Sequence, residues 1–401
     1  MKKFNLLFSL LVALLLMPLL YITLRPQTTL VNTQTGSEIF TQSQISFPTT
    51  AKSACLIGAN RVIASKNMSE KLPMASTTKI ATAITAIMYG GDLDKTFEID
   101  PKAVGIEGTS LYLRKGDKFS LRSLLYGLML ISGNDASVAI GCEVGRRNLS
   151  ENENVSPYEK FLMLMNDTVK KFGAFNTHFD NTHGLDSSTH YTTALDLAKI
   201  AYSALDNTTF KEIVSTKNTR IESADGKTVF LKNKNKLLTL LDDCVGVKTG
   251  YTSKAGRCLV SAVENQNGRY VCVVLNCRPM FEESAEILTA VKEEYKTVNL
   301  KSLIALPEKI KVENARKDSV KIDFVKDDFS IALTENELKA LTIKLNLRES
   351  LTNFVEKGKI VGKAEIYFKN CLLFSSDIVT IENVEAMSLL QKLGKFIKRF
   401  A

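Results

Sequence analysis

Hydrophobic and polar residues follow three different rhythms along this chain, and each predicts a different kind of element. At the N-terminus, Lys2 and Lys3 precede an almost wholly apolar run from Phe4 to Leu24, closed by Arg25. A run of about 21 such residues is long enough to cross a bilayer and has the layout of a secretory signal or a signal anchor. No small-x-small cleavage site follows, because Leu20-Tyr21-Ile22-Thr23-Leu24 is bulky. Residues 1–30 are therefore expected to be a signal peptide or an N-terminal membrane anchor, with the cationic end inside and the rest of the chain exported. Residues 31–51, rich in Thr, Gln and Ser, read as a flexible stalk.

From residue 52 the rhythm mixes two periods. Short strands are predicted at Ala54 to Gly58 and Arg61 to Ala64, around a Gly-Ala-Asn turn. Helical spacing then runs over Ser76 to Met88, stopped by Gly90-Gly91, and over Leu121 to Ile131, Ala136 to Val144, Tyr158 to Lys171 and Ala194 to Ala204. Strand signals return at Cys258 to Val263 and Tyr270 to Asn276, and Glu283 to Tyr295 reads as a closing helix. Strands at both ends with helices between them predict an α/β (α+β) layered domain over 52–298, its sheet completed by its C-terminal part.

The third rhythm is plain alternation. Val320 to Val325, Leu341 to Leu347, Lys359 to Phe368 and Leu372 to Thr380 switch between apolar and polar residues, the mark of half-buried strands. Residues 299–382 are expected to form a small all-β domain, a spacer or docking module without a catalytic cluster. Residues 383–401 then place Met387, Leu390, Leu393, Ile397 and Phe400 at three- and four-residue steps, with Lys392, Lys395, Lys398 and Arg399 on the other side. Such a basic amphipathic helix suits a lipid headgroup layer; the alternative is a helix packed on its own domain.

Composition narrows the function. The 401 residues are 45% hydrophobic and 24% charged, an ordinary globular balance, and 52 Lys+Arg against 43 Asp+Glu leave a net charge of +9. That charge suits anionic surfaces such as nucleic acid, lipid headgroups or acidic wall polymers. Export and the lack of a nucleic-acid-binding motif argue against the first. The three histidines, at 178, 183 and 190, do not repeat on one helix face and have no Cys or carboxylate at ligand spacing, so neither a metal nor a cofactor is expected. Seven scattered cysteines without a C-x-x-C pair read as buried free thiols; Cys272 and Cys277 are near enough in sequence to pair, but nothing requires it.

Three short motifs carry candidate chemistry. Ser76-Thr77-Thr78-Lys79 is the chain's only S-x-x-K and opens an apolar-periodic helix. Residues i and i+3 share a helix face, so the Lys79 amine is placed against the Ser76 hydroxyl, and a neutral lysine there would activate the serine as a nucleophile. Ser132-Gly133-Asn134 stands between an apolar run and the next helix. It supplies either an N-cap or a hydroxyl that relays a proton beside the Asn134 amide, which binds a substrate amide. Ser65-Lys66-Asn67 has the same form, 11 residues ahead of Ser76, and is discounted. Lys248-Thr249-Gly250 is the only K-T-G; it offers a cation, a hydroxyl for a carboxylate, and a residue that lets a ligand approach the backbone.

S-x-x-K, S-x-N and K-T-G in this order, 56 and 116 residues apart, are the set found in penicillin-binding proteins and class A β-lactamases. With them stand Pro73-Met74-Ala75, Tyr126 to Ala136, Asn176-Thr177-His178-Phe179, His183-Gly184-Leu185 and Tyr251-Thr252. On these residues the chain resembles the low-molecular-mass penicillin-binding proteins that act as serine-type D-alanyl-D-alanine carboxypeptidases, over about residues 50 to 300. The resemblance implies a penicillin-recognising serine-transferase-like domain, with an antiparallel sheet flanked by helices. It also implies that Ser76 attacks the carbonyl between two terminal D-alanines of a peptidoglycan stem peptide, with Lys79 as general base. Ser132 would pass the proton to the departing D-alanine, and Asn134 would hold the peptide amide. Lys248 would set the field, Thr249 would bind the terminal carboxylate, and the backbone N–H groups of Ser76 and Tyr251, beside Gly250, would form the oxyanion hole. Arg278 is the nearest match to a carboxylate-binding arginine, although Met280-Phe281-Glu282-Glu283 departs from the family's basic stretch there. His178 and His183 are read as loop hydrogen-bonding groups. β-Lactams are implied as inhibitors, and a membrane lipid surface as a partner.

Rival readings differ in what they need. A class A β-lactamase wants S-D-N and a Glu shortly before an Asn to activate a deacylating water; Gly133 and the absence of E-x-x-L-N between Ser150 and Thr189 argue against it. A catalytically inactive wall-binding protein would be free to lose Ser76, Lys79 or Lys248, all present. A DD-endopeptidase would use the same residues on cross-linked peptides.

Overall fold

A computed structural model describes residues 49–326 and 328–397. The expected signal or anchor and most of the stalk lie outside the described residues, as does the tip of the terminal helix. No helix among the described residues is long and apolar enough to cross a membrane.

Among the described residues the first half holds nine strands: β1 (Ser53–Gly58), β2 (Arg61–Lys66), β3 (Thr96–Glu98), β4 (Lys118–Ser120), β5 (Asn218–Glu222), β6 (Thr228–Lys232), β7 (Cys244–Thr252), β8 (Gly256–Asn265) and β9 (Gly268–Leu275). Five of them form an antiparallel sheet in the order β2-β1-β9-β8-β7. The continuous apolar run of β9 follows from burial on both faces. Val271, Val273 and Leu275 enter one core, with the helices Lys79–Tyr89, Asn134–Asn148 and Ala194–Ala204. Tyr270, Cys272 and Val274 enter the other, beneath the helix Met280–Glu294. β3–β4 and β5–β6 are separate two-stranded antiparallel sheets.

Local signals account for several boundaries. Thr193 caps the helix Ala194–Ala204 by accepting from the Asp196 N–H, and Ser156 with Glu159 forms a reciprocal capping box at Pro157–Lys171. The helix Asn134–Asn148 begins differently. Its N-cap is Gly133, which has no side chain to bond the first turn, so neither Ser132 nor Asn134 serves as the cap. The predicted helix over Leu121 to Ile131 is α-helical to Tyr126 and π-helical over Gly127–Ile131, an irregularity that often marks a functional site.

The second half is β-rich. β10 (Tyr295–Asn299) pairs with β13 (Ser330–Thr334), and β11 (Lys309–Glu313), β12 (Ser319–Phe324), β14 (Leu341–Leu347), β15 (Ser350–Thr352), β16 (Ile360–Phe368) and β17 (Cys371–Thr380) form a six-stranded sheet in the order β14-β16-β17-β12-β11-β15. This part has its own apolar core. Arg61 joins the halves, donating to both carboxylate oxygens of Glu337 at 2.7 and 2.8 Å and to the Ala332 carbonyl at 2.9 Å. All seven cysteines are free; six are buried and Cys371 is exposed.

Candidate active site

The site begins with a backbone constraint. Ala75 holds φ at +49°, in the left-handed region that alanine seldom visits. Ser76 follows inside a single 3₁₀ turn, Ala75–Thr78, which leads into the helix Lys79–Tyr89. Side chains of the turn tie it down: Thr77 Oγ1 donates to the Met74 carbonyl at 2.6 Å and Thr78 Oγ1 to the Ala75 carbonyl at 2.9 Å. β7 runs against this turn at Gly250, where a Cβ atom would stand 3.0 Å from the Ser76 nitrogen and 3.1 Å from the Met74 oxygen. Glycine there lets the strand backbone come up to the half-buried serine.

Lys79 is fully buried, and its Nζ lies 3.0 Å from Ser76 Oγ, 2.7 Å from Asn134 Oδ1 and 2.7 Å from the His183 carbonyl. Asn134 and the His183 carbonyl aim the amine at the serine. Burial first, then the charges of Lys248 and Lys234, hold the Lys79 ammonium well below the usual lysine range, against the opposing pull of Asp135. An amine that gives up its proton this readily is a base for the Ser76 hydroxyl.

Ser132 follows the π-helical turn with φ at +72°. Its Oγ is buried and has no hydrogen-bond partner among the described residues. Asn134 is engaged twice, accepting from Lys79 and donating from Nδ2 to the Glu107 carbonyl at 2.5 Å. Asp135 fastens the segment above: its carboxylate accepts from Ser110 Oγ at 2.6 Å and from the Leu111 and Leu113 N–H groups at 2.9 and 3.1 Å. Lys248, also buried, donates to the Thr249 carbonyl at 3.0 Å, and burial together with Lys234 pushes its ammonium down to about 7. The arrangement is a serine nucleophile, a base, a free hydroxyl and a concentration of positive charge, chemistry suited to acyl transfer from an anionic substrate.

Comparison with known proteins agrees with that chemistry. Residues 39–279 match the family model of the D-alanyl-D-alanine carboxypeptidases. The chain belongs to this family. Residues 295–386 match the penicillin-binding protein 5 C-terminal domain. The D-alanyl-D-alanine carboxypeptidase DacF of Bacillus subtilis is 27% identical over 360 residues, covering 87% of this chain and 88% of that protein. The D-alanyl-D-alanine carboxypeptidase of Streptomyces sp. K15 is 33% identical over 228 residues, 54% of this chain and 77% of its own length. Among solved structures, penicillin binding protein 5 from Haemophilus influenzae superposes with a TM-score of 0.68 at 25% identity, over 85% of this chain and 99% of that one. Family membership makes this chain a serine-type carboxypeptidase, a hydrolase of the penicillin-binding class.

Within that family frame, the structure gathers Ser76, Lys79, Asn134 and Gly250 through direct contacts or close approach, with the charge of Lys248 acting on Lys79. Thr249 is half-buried next to Lys248 on β7, and Tyr251 is 56% exposed, its ring under the Arg257 guanidinium at 5.7 Å. Arg278 is not drawn in: it is exposed, its backbone bonds with Thr50, and no side-chain contact ties it to the cluster among the described residues. The third cation is instead Lys234, exposed at the rim, with Nζ 3.3 Å from Thr109 Oγ1. Sequence reading missed it because Lys232-Asn233-Lys234-Asn235-Lys236 looks like any solvated loop. Asp135 was visible in the Ser-Gly-Asn-Asp run, but its role depends on a segment more than 20 residues upstream. The His183 contribution to Lys79 is a backbone carbonyl, while its ring accepts from the Leu185 N–H and is pushed down to about 3 by burial.

Proposed function

We propose that this enzyme removes the terminal D-alanine from peptidoglycan stem pentapeptides through an acyl-enzyme on Ser76. The observation that carries the reading is the 3.0 Å contact between Ser76 Oγ and a Lys79 amine whose proton is destabilised by burial and by two neighbouring lysines. Lys79 takes the hydroxyl proton as Ser76 Oγ bonds to the carbonyl carbon between the two D-alanines. The oxyanion settles against the N–H groups of Ser76 and Tyr251, each such donor lowering the barrier by about 3 kcal/mol. Ser132, whose hydroxyl has no partner among the described residues, hands the proton to the leaving nitrogen as the C–N bond breaks. Water then attacks the ester, returning the tetrapeptide and the free serine.

The substrate carboxylate is met by Thr249, Lys248 and Lys234, and Asn134 uses its second amide hydrogen on the peptide while holding Lys79. Arg278 makes no side-chain contact with the cluster among the described residues and is given no step in this reading. A β-lactam acylates the same serine by ring opening; its leaving nitrogen stays tethered, so the ester persists. The domain layout fits work at a membrane surface. A signal or anchor over 1–30 and a stalk over 31–51 precede the catalytic domain over 52–298, and the β-rich domain over 299–382 follows it. The helix Leu389–Ile397 exposes Leu389 by 81% and Leu390 by 86%, apolar surface that a lipid layer would cover.

The test uses the full chain in detergent. Intact-mass spectrometry after incubation with penicillin is expected to show one adduct of the drug's mass, located by peptide mapping on the fragment containing Ser76, and a pentapeptide should release D-alanine. A folded protein with neither adduct nor release would remove this reading in favour of an inactive wall-binding protein. Cleavage of cross-linked dimers alone would make it an endopeptidase.

A further inference from the structure

Ser76 is held by more than its immediate neighbours, and the next layer centres on a histidine that has no place in the chemistry above. His190 is buried, 2% exposed, and packs edge-on against Phe179 at 5.7 Å between ring centroids. Both ring nitrogens are engaged. Nδ1 accepts from the Asp180 N–H at 3.1 Å, and Nε2 lies 2.8 Å from Thr78 Oγ1. A nitrogen that accepts a backbone N–H carries a lone pair, so in the neutral ring the proton sits on Nε2 and is donated to Thr78. The Thr78 hydroxyl, its lone pair taken, turns its own proton to the Ala75 carbonyl at 2.9 Å. The chain therefore has a single direction: Asp180 N–H to His190, His190 to Thr78, Thr78 to the peptide that immediately precedes the nucleophile.

That peptide needs holding. Ala75 is left-handed, at a cost of about 1–2 kcal/mol for a residue with a Cβ, and relaxation of its φ would swing Ser76 relative to Lys79 and Gly250. We infer that His190 is a positioning residue, fixing the Ala75–Ser76 peptide through Thr78 so that the serine hydroxyl stays in line with its base. The inference rests on the acyl-enzyme reading above but goes further, because it assigns a role to a side chain that touches no reacting atom. Asp180 and His178 face the ring from its own segment, and Lys79 from the adjoining helix. Asp180 is itself engaged, accepting from Thr189 Oγ1 at 2.6 Å and from Ser187.

A positioning role separates rate from affinity. In His190→Ala, the first-order acylation step with penicillin is expected to slow by about tenfold to a hundredfold, the range in which small misplacements act, while the dissociation constant of the preceding non-covalent complex stays unchanged. His190→Gln, with an acceptor and a donor on one planar group, should restore the rate to within about threefold of the parent. Thr78→Val, nearly the same shape without the hydroxyl, should slow acylation as His190→Ala does, and the double variant should fall no further than either single one. All are measured in the full chain, with thermal unfolding alongside. If the parent itself is not acylated, the acyl-enzyme reading fails. If the parent is acylated and a folded His190→Ala reacts at the parent's rate, or Gln fails to rescue it, the positioning role is wrong. Should His190→Ala not fold, parental acylation by Thr78→Val overturns the inference equally.

Discussion

Lys248→Met should yield a protein that is harder to unfold than its parent and nearly inert. Lys248 is buried, its ammonium lowered from 10.5 to about 7 by desolvation and by Lys234, and among the described residues Nζ makes one hydrogen bond, to the Thr249 carbonyl. A displacement of that size corresponds to on the order of 4 kcal/mol favouring the unfolded chain at neutral pH. Removing the hydrogen bond forfeits about 1 kcal/mol, and methionine refills most of the volume, so desolvation wins and the variant gains about 3 kcal/mol. The sign with pH follows from the lowered folded-state value. The penalty is fully present below about pH 7, where both states are protonated, and is relieved as pH rises from about 7 towards 10.5, where the unfolded chain alone still holds the proton. The stabilisation of Lys248→Met should therefore be largest at pH 6 and shrink towards pH 10. Acylation should fall by about a hundredfold to a thousandfold, the scale for losing one preorganised polar group of an active site. Without Lys248 the Lys79 amine also regains proton affinity, leaving less free base. Thermal unfolding at pH 6 and pH 10 decides it: a variant less stable than its parent at pH 6 would mean that Lys248 is not carrying that penalty.

The same balance explains why three lysines converge. Like charges at close quarters destabilise one another, and the nearby carboxylate, Asp135, has its oxygens turned to Ser110 and to the Leu111 and Leu113 N–H groups. The positive charge is offset only in part by Asp135, and the remaining repulsion keeps Lys79 able to act as a base.

How much of this was legible in the sequence depends on the range of the interaction that fixes each feature. Ala194–Ala204 was delimited correctly because its cap and its apolar stripe are both local. β9 was legible as a strand, and burial on two faces accounts for its unbroken run. β5 and β6 were not read as strands, since each is five residues long and buries a single side chain, which carries little pattern. The motif spacing placed Ser76 against Lys79, but on a regular helix; the 3₁₀ turn and left-handed Ala75 come from β7 and the 183–185 segment pressing on that turn, contacts that no local rule contains. Lys234 and His190 were illegible for the same reason, because their partners lie 125 and 112 residues away.

Gly184 shows the cost of ignoring such a contact. Its φ is +93°, and a Cβ atom there would stand 1.9 Å from the Ala75 oxygen, 2.4 Å from the Ala75 carbonyl carbon and 2.9 Å from Thr78 Oγ1. The obstacle is backbone, itself held by Thr78, so it has little room to yield. Gly184→Ala is expected to lose about 2–4 kcal/mol of stability, combining left-handed strain with overpacking. Relief is available only by moving one of two segments. Shifting 183–185 withdraws the His183 carbonyl from Lys79, and shifting Ala75 displaces Ser76; either should slow acylation by about a hundredfold. Gly173 supplies the comparison, because its φ is +75° while a Cβ there meets nothing within 4 Å. Gly173→Ala carries the conformational strain alone, about 1 kcal/mol, and should be acylated at the parental rate. Measuring unfolding and acylation on the pair separates backbone conformation from contact: equal losses in both variants would show that the crowding against Ala75 is not what positions the nucleophile.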